Sequence, residues 1–261
     1  MRTSLLLDIA ADACPDRIAL GSLDDSFDFL SYRSRARCVA GWLAEQGKAN
    51  TAFLGMNGTA LPVLLFACGM AGTPFVPLNY RLADGDLNKL IARSAPSVLI
   101  VDDDMLPRIA PADGVEVIAR SDFEAEFMAG PTPETGEPPE AENDIAVLLF
   151  TSGTTGDPKA AVLRHANLTS YVMSTVEFLG ADEAEAALIS VPAYHIAGIS
   201  AILTAAYGGR RIVYLPAFTA EDWVAAAAAE RITHAMVVPT MLDRILDVMA
   251  ATGETLPALR A

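Results

Sequence analysis

Two short stretches hold residues whose types and spacing could do chemistry. The first is Thr151-Ser152-Gly153-Thr154-Thr155-Gly156-Asp157-Pro158-Lys159. It follows an apolar run, Ile145 to Phe150, that reads as a buried strand. A strand opening into a glycine- and hydroxyl-rich loop that ends in lysine has the chemistry of a phosphate cradle. Gly153 and Gly156 let backbone approach an anion, Ser152, Thr154 and Thr155 supply hydroxyl donors, and Lys159 supplies a mobile cation. The spacing is not that of a Walker loop, which places lysine and a hydroxyl residue in direct succession. A Ser/Thr/Gly run can also be no more than a polar turn. The second stretch is Val191-Pro192-Ala193-Tyr194-His195-Ile196-Ala197-Gly198, at the end of another expected strand. Open α/β sheets bind ligands at the carboxyl ends of their strands, although a single histidine is more often structural than functional. His165 and His234 fall near an expected helix start and just before an expected strand, with no catalytic pattern around them.

The elements that must position these stretches alternate. Ile18–Leu20 and Phe27–Leu30 flank Asp24-Asp25 as a hairpin, and Ser31 caps a helix that runs to about Gln46 and stops at Gly47. Strands are expected at 51–54, 75–76, 98–101 and 115–118, with helices over about 59–70 and 82–94. Beyond the loop, helices are expected over about 167–179, 199–206 and from Thr219 through the alanines at 225–229, with a last one opened by Thr240 and ending near Ala250. Strands at 187–191, 211–215 and 235–238 separate them. This alternation predicts layered parallel α/β sheets. Residues 129–143, rich in Pro, Glu and Gly, read as a surface loop within one domain.

The bulk numbers narrow the function. The chain has 261 residues, 52% of them hydrophobic, and a formal net charge of −15 from 33 acidic and 18 basic side chains. Without a basic patch, nucleic acid and anionic membrane are poor partners. Positive potential at any phosphate site must come from few side chains and from backbone amides. Cys14, Cys38 and Cys68 are odd in number and widely spaced, which fits structural thiols in a reducing compartment. The leucines at 5–7 are interrupted by Asp8, too soon for a signal core, and no run is long enough to span a bilayer. A cytoplasmic protein is expected.

Five ordered segments carry a family likeness. Residues 151–159 resemble the phosphate loop of the adenylate-forming superfamily, which includes acyl-CoA synthetases, luciferases and adenylation domains. Tyr194-His195-Ile196-Ala197-Gly198 resembles the aromatic-His-x-x-Gly motif of acyl-CoA synthetases. Gly72 to Asn79 resembles Gly-x-x-x-Val-Pro-Leu-Asn, and Val238-Pro239-Thr240 the Val-Pro-Thr/Ala opening of a helix; Leu30-Ser31-Tyr32 is similar to an early Thr-Tyr helix start. One departure is Ala160, where relatives usually have glycine after Pro-Lys.

The resemblance implies ligase chemistry: a carboxylic acid attacks Mg-ATP to give an acyl-adenylate, which CoA then captures as a thioester. It implies an acyl-CoA synthetase for a fatty or aryl acid, with an acyl-AMP ligase that loads a carrier protein, or a non-catalytic nucleotide- or acyl-binding module, as alternatives. It assigns Thr151, Ser152, Gly153, Thr154, Thr155, Gly156 and Lys159 to ATP, and Thr151 also to Mg2+. By the same likeness His195 orients the carboxylate, Tyr194 shapes a wall, Ile196 and Ala197 line the acyl side, and Gly198 completes the motif. The implied fold is a doubly wound large domain, with 55–180 as a first α/β subdomain and 1–50 plus 185–261 as an incomplete second. The family's adenine, ribose and lysine-lid segments are not found in these residues. The chain is therefore expected to be about half of a synthetase, with no complete catalytic set, inactive alone, and prone to self-associate through an exposed sheet edge.

Overall fold

The computed structural model describes residues 1–133, 136, 143–151 and 159–260, Thr151 by its backbone alone. Among them the chain forms two compact units.

The first unit comprises residues 1–6, 33–56 and 60–171. Its sheet contains β3 (Asn50–Leu54), β4 (Phe75–Pro77), β5 (Ser97–Val101), β6 (Val115–Ala119), β7 (Ile145–Thr151) and β8 (Lys159–Arg164), in the order β6-β5-β3-β4-β7-β8. All neighbours pair in parallel except β7 with β8. Alternation along the strands builds the core. Ala52, Leu54, Val76, Leu99 and Val101 meet Leu87, Leu90 and Ile91 of α4 (Asp84–Arg93). Burying each of those α4 side chains contributes roughly 1.5–3 kcal/mol. Helix α3 (Ala60–Ala71) is buried from Ala60 through Met70, as its almost wholly apolar sequence requires.

Buried polar groups fix the ends of these elements. The Asp102 carboxylate accepts the Met56 amide at 2.7 Å and pairs with Arg120 at 3.0 Å. Gly55 makes room for it, since a Cβ there would lie 2.2 Å from Asp102 Oδ1. Arg120 opens α5 (Arg120–Phe127), a helix that composition did not reveal. The Arg35 guanidinium donates to the carbonyls of Phe127 and Gly130 at the far end of α5, at 2.9 and 2.7 Å. It anchors the entry to the 129–143 segment; of that expected surface loop, residues 134, 135 and 137–142 lie outside the described residues. Cys68 is buried, and burial pushes its thiol up to about 12, in keeping with a structural role; Cys14 and Cys38 are half-buried free thiols.

The second unit comprises residues 7–32, 57–59 and 172 onward. Its sheet holds β1 (Ile18–Gly21), β2 (Ser26–Asp28), β9 (Ala186–Ile189), β10 (Arg211–Tyr214) and β11 (His234–Met236), in the order β11-β9-β10-β1-β2. The expected hairpin is the antiparallel β1–β2 pair; the other pairings are parallel. Ala186, Leu188, Val213 and Leu215 pack with Trp223, Val224 and Ala227 of α8 (Ala220–Ala229) and with Ile245 of α9 (Pro239–Thr252).

Several boundaries differ from the sequence reading, each for a local reason. Helix α2 (Phe29–Gln46) starts before Ser31, because the Asp28 carboxylate accepts the Ser31 amide at 2.7 Å. Helix α9 starts at Pro239, whose fixed φ suits the first helical position, so Thr240 lies inside it. Thr219 does cap α8, accepting the Asp222 amide at 3.0 Å. Leucines 5–7 lie in α1 (Ser4–Ala13), with Leu6 and Leu7 fully buried.

His165 opens α6 (His165–Thr175) and is buried. Its Nδ1 faces two donors of Thr3, the amide at 3.2 Å and Oγ1 at 3.0 Å, so Nδ1 is the unprotonated nitrogen. Nε2 is buried and has no hydrogen-bond partner among the described residues. Burial, with the positive Arg2 and N-terminus nearby and Asp144 opposing, lowers the ring to about 4. In the unfolded chain the ring binds its proton near 6.5. Between these values the unfolded state holds more protons, so stability is fullest above pH 6.5 and declines as pH falls toward 4. The largest effect from this single group is about 3 kcal/mol. Denaturant melts across pH 4 to 7 should show this slope, and His165→Gln should flatten it.

Candidate functional site

Two backbone features carry the candidate chemistry, one in each unit. In the first, β7 leaves the sheet at the carboxyl end shared with β3, β4, β5 and β6, where ligands of open α/β sheets bind. It returns as the antiparallel β8, with Thr151 opposite Lys159 at the neck of the hairpin. Ser152, Gly153, Thr154, Thr155 and Gly156 lie outside the described residues, as does the Thr151 side chain. Lys159 is exposed at the start of β8. Ala160 pairs with Phe150 within the ladder, so extended backbone, not a left-handed turn, occupies the position where glycine was expected. At its far end the hairpin is tied down by the Arg164–Asp144 ion pair and by the His165 amide, which donates to the Asp144 carbonyl at 2.9 Å. Strand β8 went unpredicted because Lys-Ala-Ala-Val-Leu-Arg holds a single β-branched residue and lies exposed at the sheet edge.

In the second unit, β9 is flanked by β10 on one side and β11 on the other, so the chain leaves it at a switch in strand order. Residues 190–195 then turn into α7 (Ile196–Gly208). Tyr194 is buried, and its ring stands 4.6 Å from that of His195, tilted by 55°. His195 is exposed at the N-cap of α7, with extended backbone. Its amide donates to the Pro192 carbonyl at 3.1 Å, and the Gly198 amide donates to the His195 carbonyl at 3.0 Å. Ile196 is exposed, Ala197 half-buried and Gly198 buried. Gly198 is required by close approach: a Cβ would come 2.8 Å from the Pro192 carbonyl oxygen and 3.0 Å from Ala193 Cα.

This places an aromatic wall, an imidazole and the positive end of a helix dipole on one short segment. The combination suits a carboxylate, because orphan amides and the dipole at a helix start favour negative charge. A polar residue that sequence reasoning missed lies under the turn: the Asn57 amide reaches the carbonyls of Val191 and Leu215 at 3.3 and 3.4 Å. The Met-Asn-Gly context of Asn57 reads as an ordinary turn, and its partners are remote in sequence, so no local pattern signals it.

Mg2+ would have to fit this donor set. Among the described residues no group of three His, Cys, Asp or Glu side chains could hold a metal ion.

Over residues 7–261 the chain matches the family described as AMP-binding enzyme, and it belongs to that family. It is 33% identical over 195 residues to a feruloyl-CoA synthase of Amycolatopsis sp, covering 74% of this chain and 39% of that one. A 2-succinylbenzoate–CoA ligase of Bacillus licheniformis is 30% identical over 238 residues, 90% of this chain and 49% of that one. A fatty acid–[acyl-carrier-protein] ligase of Streptomyces coeruleorubidus is 29% identical over 203 residues, 75% and 39% of the two chains. The chain thus spans less than half the length of these relatives. The fold agrees with the N-terminal domain of FACL13 from Mycobacterium tuberculosis, with a TM-score of 0.86 at 22% identity over 99% of this chain and 68% of that one. It is also similar to the o-succinylbenzoate coenzyme A synthetase of Bacillus subtilis solved with AMP, with a TM-score of 0.78 at 25% identity over 98% and 65%. Among the described residues no helix is long and apolar enough to cross a membrane.

Gly198→Ala should push the first turn of α7 away from Pro192 and cost about 1–3 kcal/mol, as overpacking does. Thermal melts read the cost, and a shift in the amide resonances of 192–198 reads the displacement. An unchanged spectrum with an unchanged melt would mean that a Cβ is accommodated without displacing the turn, which would contradict the close approach of Gly198 to Pro192.

Proposed function

We propose that this chain carries the ATP-phosphate and carboxylate-orienting parts of an AMP-forming acid–thiol ligase. In the overall reaction the acid's carboxylate attacks the α-phosphorus of ATP, releasing pyrophosphate, and the thiol of CoA then displaces AMP from the acyl-adenylate. The supporting observation is the pairing of Thr151 with Lys159 at the carboxyl end of a parallel sheet, which brackets the glycine- and hydroxyl-rich sequence 152–158 and sets a cation beside the strand end.

Each residue has a task in this reading. Lys159 offsets β- and γ-phosphate charge, and Ser152, Gly153, Thr154, Thr155 and Gly156 offer amides and hydroxyls to the same oxygens. Bound Mg2+ would neutralise further phosphate charge, and the Thr151 hydroxyl would face it. His195 and the start of α7 orient the carboxylate, which is then bound rather than captured from solution. Tyr194 closes one wall, and Ile196 and Ala197 border the acyl group. Two of the relatives above are named for aryl acids, which makes aryl acids the first substrate class to test. The carrier-protein ligase among them keeps a carrier-bound thiol as the alternative acceptor.

The test is equilibrium titration of the chain with Mg-ATP and with AMP. Lys159→Ala should weaken ATP by about tenfold or more, the scale of one charge-assisted contact, and leave AMP nearly unchanged. Equal losses for both nucleotides would contradict the assignment of Lys159 to the outer phosphates. In a full-length ligase carrying this sequence, the same substitution should slow adenylation more than thiol transfer.

A further inference from the structure

We propose that Asn57 is a positioning residue for the Tyr194–His195 turn: its side-chain amide clamps the carbonyls of Val191 and Leu215 and so fixes where the turn leaves the sheet. Asn57–Thr59 is a three-residue segment that belongs to the second unit. Asn57 is buried, at 6% exposure. Both of its partners are carbonyl oxygens, at 3.3 and 3.4 Å, so its NH2 and not its carbonyl must face them.

The two carbonyls lie where the ladder ends. Val191 and Leu215 follow β9 and β10, and the last backbone bond between these strands is the Leu215 amide to the Ile189 carbonyl at 3.1 Å. Beyond it the strands part, and the two carbonyls would be buried acceptors without a ladder donor, a costly state. One NH2 group answers both. It thereby holds together two strand exits that backbone pairing no longer joins. Val191 is followed at once by Pro192, whose carbonyl receives the His195 amide and faces Gly198 at close range. The clamp therefore sets the base on which the turn and the first turn of α7 are stacked. The function of the turn rests on the carboxylate reading above; the clamp itself does not.

Asn57→Asp separates this role from mere space-filling. The side chain keeps its shape, loses both donors, and at neutral pH turns a negative oxygen toward two carbonyls. Amide exchange by NMR on the full chain reads the outcome without any substrate. The His195 and Gly198 amides should exchange about tenfold faster than wild type near pH 7.5, the scale of one lost hydrogen bond. The Leu188 and Val213 amides, inside the strands, should be unchanged. When pH is lowered until the carboxyl takes up a proton, it becomes a donor again, and protection relative to wild type at the same pH should return. Asn57→Ala should show the loss without the return, and it carries the test if the aspartate variant does not fold. Wild-type exchange of both amides in either folded variant would overturn the proposal. So would a uniform loss of protection through β9 and β10 with no recovery at low pH. Because no ligand enters the experiment, the clamp can fail while the ligase reading stands, and the reverse.

Discussion

Parallel pairing decides where chemistry can sit in this chain. Parallel neighbours share a direction, so their carboxyl ends share one edge, and each strand must leave there through a loop. Strands β6, β5, β3, β4 and β7 obey this in the first unit, and β11, β9, β10 and β1 in the second. Burial locks the register. A one-residue slip of β3 against β5 would turn Ala52 and Leu54 away from α4 while Leu99 and Val101 of β5 still faced it. The exits of β7 and β9 follow from that lock, and they carry the two candidate stretches. The β7–β8 pair departs from the parallel rule, and the departure sets Lys159 opposite Thr151 at the strand exit.

The proposed phosphate site must draw its positive potential from a chain of net charge −15. Many of its arginines are engaged within the fold. Arg120 pairs with Asp102 and Glu124, Arg210 with Glu185, and Arg211 with Glu230, while Arg35 is spent on carbonyls at the end of α5. Glu185 also receives Arg260 at 2.6 Å, and these cations hold its carboxyl below the usual range. These pairs tie strand ends and helix ends together rather than facing a ligand. Lys159 stands exposed at the start of β8, opposite Thr151. In the second unit the start of α7 carries the partial positive charge of a helix dipole, which appears in no count of lysines and arginines.

Much of this was legible in the sequence, and the exceptions have physical causes. Apolar runs bounded by glycine or aspartate gave β3, β5, β7, β9 and β10 to within a residue or two, because a buried parallel strand leaves a near-continuous hydrophobic signal. Helix α5 was hidden because its apolar content is two phenylalanines among charged residues, and its end is held by Arg35 from a distant helix. The loop and the Tyr194–His195 turn were visible as local patterns. The reasons behind them were not: Gly198 is demanded by the Pro192 backbone and Asn57 by two carbonyls far along the chain, and both are contacts that only folding creates.

The central claim is that the hairpin loop after β7 receives the phosphates of ATP. Amide chemical-shift mapping of the labelled chain during titration with Mg-ATP tests it most directly. The account predicts saturable shifts concentrated in residues 151–160, with weaker changes in the strands that frame them. Saturable shifts that spare the hairpin and gather elsewhere, or no shifts at millimolar nucleotide, would contradict it.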